Sequence, residues 1–257
     1  MYKVTIAVAA MLGLAGCLSG EDTHGWSFTK SLPANFKGYG VQTVAAADGY
    51  PVRSGKTSQR FEVRAGDCSY SDDWSDCDND RERHELKSVT DWLGGERWYH
   101  WSIYLPADYP NIYPVKVALG QFHQHRGHVV WMFQNNNGGY WVDNQVPGYT
   151  KDFKMILTDA DMRGVWNDIL VHVNWSDGED GYFYVYVNGE TEPRYAYTGQ
   201  TKSTGKKVYY KYGLYRSFVS RRGGEEPAQV VYYDDLFAAT TCAGLSENLR
   251  FDCAKIR

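Results

Sequence analysis

The chain has 257 residues, enough for one large domain or two small ones and for a substantial core. Its formal charge of −4 provides no bulk basicity, which argues against nucleic acid as a partner. Aromatic residues make up 16%, with 21 Tyr and 9 Trp, and such rings suit both an all-β core and a cleft in which sugars stack.

At the N-terminus, Lys3 precedes the apolar run VTIAVAAMLGLAG and then Cys17. A short basic region, a short apolar stretch and small residues before a cut site read as an export signal, too short to span a bilayer. The stretch LAGC at 14–17 resembles a bacterial lipobox. That likeness implies cleavage before Cys17, lipidation of its sulfur and stable membrane anchoring through several acyl chains. An ordinary secretory signal with a chance Cys is the alternative. The expectation is an exported bacterial lipoprotein at the outer membrane or cell surface. Residues 1–16 would be the signal, 17–25 a tether and 26–257 a single domain, expected to be a monomer.

Setting Cys17 aside leaves Cys68, Cys77, Cys242 and Cys253, an even number that suits disulfides in an exported protein. Three pairings are possible. Cys68–Cys77 and Cys242–Cys253 are favoured because each closes a short loop. A zinc site is the rival, but spacings of 9 and 11 lack a tight C-x-x-C.

Residues 18–58 read as the tether followed by an edge strand or two. Strand-like runs then follow at 59–64, 82–88, 97–105, 115–125, 128–134, 166–175, 181–188, 207–216 and 228–238. Many alternate apolar and polar residues, the period of a half-buried strand. VNGE at 187–190 carries the Asn-Gly signal of a hairpin. No segment holds a helical period. The expected fold is an all-β jelly-roll sandwich of two antiparallel sheets. The stretches 135–150 and 198–206 are read as loops.

Three runs carry unusual polar patches. In NDRERHELKS (79–88), Arg81, Arg83 and Glu85 share one face by the two-residue period, and His84 and Leu86 the other. A carboxylate between two basic groups would orient an Arg through a charge-assisted pair. In VKVALGQFHQH (115–125), Gln121, His123 and His125 share a face with Val117 and Leu119. In VYYKYGLYRS (208–217), Tyr209, Lys211, Gly213 and Tyr215 share a face, and Tyr210, Tyr212, Leu214 and Arg216 the other. Gly213 is expected to let a ligand approach the backbone. Arg81, Arg83 and Lys87, and a second set from Lys202 to Arg222, are expected to flank the site. The acids of DDWSDCDND (72–80) are expected to gather elsewhere. Each patch alone has a plain structural explanation: a solvated edge, a surface histidine row, an aromatic core strand.

Together, R-x-E-L-K (83–87), Q-x-H (121–123) and Y-x-K-x-G-x-Y (209–215) resemble the jelly-roll polysaccharide lyases, and family 7 alginate lyases carry similar blocks in the same order. The wider blocks DCDNDRERHEL, WYHWSIYLP, GQFHQ, YYKYGLYR and VVYYDDL look more like the glucuronan lyase and heparin lyase I-like group. The likeness covers roughly 55–240. The chain departs from the family 7 pattern at Arg216, where that pattern has Asn, and at Phe122, where it has an aliphatic residue. Both departures bear on substrate identity. The resemblance implies β-elimination on an anionic, uronate-containing polysaccharide. Tyr215 and His123 would share the roles of base and acid, in an order set by which face of the sugar carries the C5 proton, with Gln121 and Arg83 on the carboxylate. Lys211, Arg81, Glu85, Arg216, His125 and Tyr209 would help to bind substrate. No cofactor is expected to be required. A structural calcium at Asp76, Asp78 and Asp80 is possible, although the Gly and late Glu of an EF-hand loop are missing. A non-catalytic carbohydrate-binding sandwich is the competing reading, and a glycoside hydrolase lacks its paired-carboxylate strand.

Overall fold

A computed structural model describes residues 26–148, 152–246 and 249–256. The expected signal, Cys17 and the tether up to residue 25 lie outside the described residues.

Among the described residues the strands run β1 (Phe28–Lys30), β2 (Val41–Ala45), β3 (Thr57–Val63), β4 (Tyr70–Ser71), β5 (Trp74–Ser75), β6 (Arg81–Ser88), β7 (Gly95–Tyr104) and β8 (Lys116–Gln124). They continue with β9 (Val129–Asn135), β10 (Tyr140–Asn144), β11 (Asp152–Leu157), β12 (Trp166–Trp175), β13 (Tyr182–Val187), β14 (Tyr195–Thr198), β15 (Val208–Ser217) and β16 (Gln229–Ala239). Sheet one has the order β1-β6-β15-β8-β9-β10-β11 and sheet two the order β14-β13-β12-β7-β16-β3-β2. Strand pairings are antiparallel throughout. The molecule is thus the expected two-sheet sandwich. All nine expected strands appear with ends shifted by two residues or fewer. β4, β5, β10, β11 and β14 are additional, and β10 sits inside a stretch expected to be a loop. One short helix, α1 (Asp159–Met162), was not foreseen; the Thr158 side chain accepts from the Asp161 N–H in a capping box.

The core lies between the sheets. Trp101, Trp131 and Trp175 are fully buried there, and Trp131 stacks on Phe183 at 4.0 Å. Tyr210 and Tyr212 of β15 join them, with Tyr210 5.1 Å from Trp101. The Tyr212 hydroxyl donates to Gln59, the partner a buried phenol needs. The outer face of sheet two is also covered: Trp98, Leu170, Tyr186 and Phe237 pack against Cys242, Leu245 and Phe251 of the C-terminal segment. Cys242–Cys253 closes that segment, and Cys68–Cys77 closes the excursion between β3 and β6, both as favoured.

Two irregularities change the face assignments. The β8–β9 register shifts between Ala118 and Gly120, so Val117 and Leu119 belong to the core although Gln121 and His123 line the opposite face. The two-residue period alone put all four on one side. Gly213 has φ +131°, and a Cβ there would meet the His84 carbonyl oxygen at 2.5 Å and the Phe61 ring at 2.8 Å. Gly213 therefore serves close backbone packing, not ligand approach.

Arg216 corrects an expectation. It lies on the core side, fully buried, and donates to Gln229 at 2.9 Å, to Glu82 at 3.0 Å and to the carbonyls of Val63 and Pro227. It is a structural ion pair and not a substrate ligand. Arg216→Ala leaves Glu82 as an uncompensated buried carboxylate, so a loss of about 3–5 kcal/mol is expected in urea unfolding monitored by Trp fluorescence.

Candidate active site

With sheet two covered outside, the outer face of sheet one is left open. A cleft of about 1660 Å³ runs across it. Its floor takes Arg81, Arg83 and Lys87 from β6, Gln121 and His123 from β8, and Tyr209, Lys211 and Tyr215 from β15. These strands are neighbours in the order β6-β15-β8, so three patches distant in sequence become one surface. Arg81, Arg83, Lys87, Lys116, Lys211 and Arg221 line the cleft against only Asp73 and Asp143, a balance that favours an anionic ligand.

Glu85 sits beneath this floor, 2% exposed, and ties the three strands together. One oxygen accepts from the Gln121 amide; the other accepts from Lys211 Nζ at 3.1 Å and Arg83 Nη1 at 3.3 Å. Burial pushes the Glu85 carboxyl up, but Lys211 and Arg83 more than offset this and hold it below its usual value. Burial likewise pulls Lys211 below the usual lysine value, with Glu85 opposing. Glu85 was expected to bind substrate; it instead orients the groups that face the cleft.

The Arg83 guanidinium lies 3.8 Å over the Tyr215 ring. Its Nε and Nη2 donate to Asp76 at 2.7 and 2.6 Å. His123 contacts its neighbour Tyr209 across the strands, with Nδ1 2.9 Å from the Gln124 carbonyl and 3.2 Å from the Tyr209 hydroxyl. A carbonyl only accepts, so Nδ1 carries the proton and Nε2 keeps a free lone pair. Burial, then the Lys211 charge, lowers the His123 pKa to about 4, so the ring is neutral near pH 7. Burial and then the Glu85 charge push Tyr209 up to about 12, so its hydroxyl stays protonated.

Other expected residues fall at the margins. Arg81 lines the cleft with its guanidinium 4.0 Å from the Phe218 ring. His125 is exposed at the edge, pairs with Asp91 at 2.8 Å and sits 4.8 Å from the Tyr209 ring. His84 faces the interior as expected, its Nδ1 2.6 Å from the Glu62 carbonyl. Of the basic set at 202–222, Lys211 and Arg221 line the cleft, whereas Lys207 pairs with Asp91 and Arg222 with Glu226.

The acidic stretch at 72–80 does not lie elsewhere. Asp73 and Trp74 form part of the cleft wall, and Asp76 is buried under Arg83. The three aspartates do not converge on a cation: Asp76 serves Arg83, Asp80 accepts from the Ser220 N–H and hydroxyl, and Asp78 is exposed. Among the described residues no group of three His, Cys, Asp or Glu is arranged to hold a metal. Sequence reasoning missed Asp76, Phe218 and Trp74 as parts of the site. The sequence did mark Asp76, as the first residue of the block DCDNDRERHEL and as a candidate calcium ligand, but gave no sign that it pairs with Arg83.

The model of the polysaccharide lyase family, described as "Polysaccharide lyase", matches residues 22–236, and the chain belongs to that family. No curated protein matches the sequence. Among solved structures, the chain is similar to an endo-β-1,4-glucuronan lyase from the fungus Trichoderma reesei, with a TM-score of 0.62, 18% identity and coverage of 87% of this chain and 95% of that one. An alginate lyase of polysaccharide lyase family 7 superposes with a TM-score of 0.54, 18% identity and coverage of 82% and 93%. A family 7 alginate lyase in complex with substrate has a TM-score of 0.52, 14% identity and coverage of 82% and 91%. At these identities the likeness concerns the fold.

Imidazole NMR across a pH titration should show His123 titrating near pH 4, below the ~6.5 of a free histidine. Lys211→Met should move it upward, because the cation that disfavours the imidazolium is gone.

Proposed function

We propose that this member of the polysaccharide lyase family cleaves a uronate-containing polysaccharide, glucuronan-like or alginate-like, by β-elimination. The observation that carries this reading is the convergence of Arg83, Gln121, His123, Lys211 and Tyr215 in one cationic cleft. A carbohydrate-binding surface needs stacking rings and has no use for a neutral His and a phenol beside carboxylate ligands.

The C5 proton of a uronate is weakly acidic because its carboxylate already bears charge. Abstraction places more charge on that carboxylate, so donors fixed in advance lower the barrier. Arg83 and Gln121 would supply them, each held by Glu85 in a geometry set before substrate arrives. Lys211, tied to Glu85, adds positive field. One group takes the C5 proton, the electrons form the C4=C5 double bond, the C4–O4 bond breaks, and a second group protonates O4. Neutral His123 with a free Nε2 is competent to accept, and the Tyr215 hydroxyl to donate. For a sugar that presents its C5 proton to the Tyr215 side, Tyr215 would first give up its own proton to act as the base, and His123 would take one up to protonate O4. The charge is met by side chains, and the reaction in this reading requires no cofactor.

We propose further that the protein is exported and lipid-anchored at Cys17, a reading that rests on the LAGC stretch at 14–17. The two disulfides support an oxidising compartment.

Elimination creates a conjugated double bond that absorbs in the ultraviolet; hydrolysis and binding do not. Purified residues 18–257 should raise the absorbance of glucuronan, polymannuronate or polyguluronate. Tyr215→Phe and His123→Ala should each lose about 10²–10⁴-fold, and Gln121→Ala about 10²–10³-fold. Retention of a polyuronate with no absorbance rise on any of these polymers, nor on heparin or hyaluronan, would replace the lyase by a binding protein.

A further inference from the structure

A lone Arg on a strand samples many rotamers, but Arg83 does not have that freedom. Its fork meets both oxygens of Asp76, a geometry that fixes direction as well as charge. Asp76 is fully buried and comes from the 67–80 excursion, not from the sheet that forms the floor. The excursion holds Asp76 from several sides. Its N–H donates to the Ser69 carbonyl at 2.9 Å, and the Trp74 indole donates to its carboxylate at 2.9 Å. The next residue, Cys77, is bonded to Cys68. The same excursion places Trp74 in the cleft wall.

We propose that Asp76, fixed by the Cys68–Cys77 disulfide, is the positioning residue for Arg83, so that this disulfide supports turnover and not only folding. The proposal rests on the reading of Arg83 as a ligand of the substrate carboxylate. Asp76 touches no substrate: it sets where the guanidinium points. Misplacement of such a group by about 1 Å can cost on the order of 10²-fold. The other disulfide, Cys242–Cys253, closes the segment over sheet two, on the far side of the core, and carries no such load.

Two measurements on the full-length chain test this. The first is independent of activity. By NMR, the Arg83 Nε–H should give a slowly exchanging signal, assigned by its disappearance in Arg83→Lys. It should be lost in Asp76→Asn and in Cys68→Ser/Cys77→Ser, and kept in Cys242→Ser/Cys253→Ser. The second is a double-mutant cycle on kcat/KM. Asp76→Asn and Cys68→Ser/Cys77→Ser should each lose about 10–10²-fold, mainly in kcat, while Cys242→Ser/Cys253→Ser stays at the wild-type value. In an Arg83→Lys background, which keeps a cation but offers no fork, Asp76→Asn should cause no further loss. A protected Nε–H in Asp76→Asn, or losses that multiply in the cycle, would overturn the proposal. If the wild-type protein cleaves no polyuronate, the lyase reading falls, and the Nε–H signal still decides whether Asp76 positions Arg83.

Discussion

The buried carboxylate of Glu85 is the contact on which the site depends. A lone carboxylate under a sheet would be strongly penalised, and so would the Lys211 ammonium beside it. Each is tolerated because the other is there, together with Arg83 and the Gln121 amide. The three donors come from β6, β8 and β15, so one anion fixes the relative placement of three strands' side chains. A buried ionic cluster of this kind is weak evidence for stability and better read as orientation. It holds Arg83, Gln121 and Lys211 at the cleft with little freedom to lose when a ligand binds.

The sandwich decides which face can be a site. Both sheets turn one face to the shared core, and the C-terminal disulfide-closed segment occupies the outer face of sheet two. The outer face of sheet one carries the open cleft, and its polar residues are there because the strand period sends every second side chain outward. The bulge at Leu119 and Gly120 makes this possible on β8, where it lets an apolar start, Val117 and Leu119, and a polar end, Gln121 and His123, serve opposite faces. Gly120 also leaves room for the Tyr210 hydroxyl, which a Cβ there would meet at 2.8 Å. The density of tyrosine in β15 divides in the same way: Tyr210 and Tyr212 fill the core, while Tyr209 and Tyr215 face the cleft.

Electrostatics then separate otherwise similar groups. His123 is neutral because burial and Lys211 both oppose its charge. Arg83 keeps its charge against burial because Glu85, Tyr215 and Asp76 surround it. Arg83 and Arg216 both lie on strands of the cleft floor, β6 and β15, and both pair with glutamates. One points to the cleft and the other to the core, where Glu82, Gln229 and two carbonyls engage four of its five N–H donors. Their difference is one of strand parity and not of residue chemistry.

The all-β class, the positions of nine strands and the set Arg83, Gln121, His123, Lys211 and Tyr215 were legible in the sequence, because alternation and short motifs are local properties that no distant contact needs to supply. The short β10 and β14 were not, since a run of four or five residues flanked by turn-formers carries too few periods to stand out. The face of Val117 and Leu119 and the role of Gly213 were misread because a bulge or a positive φ breaks the period on which such readings rest. Arg216 was placed in the cleft by its neighbours in the motif, when its own parity pointed to the core. Asp76 under Arg83, and Glu85 as the hub beneath the floor, were decided by tertiary structure alone: which carboxylate meets which cation depends on strand order and on a disulfide-closed excursion, and neither leaves a mark in local residue spacing.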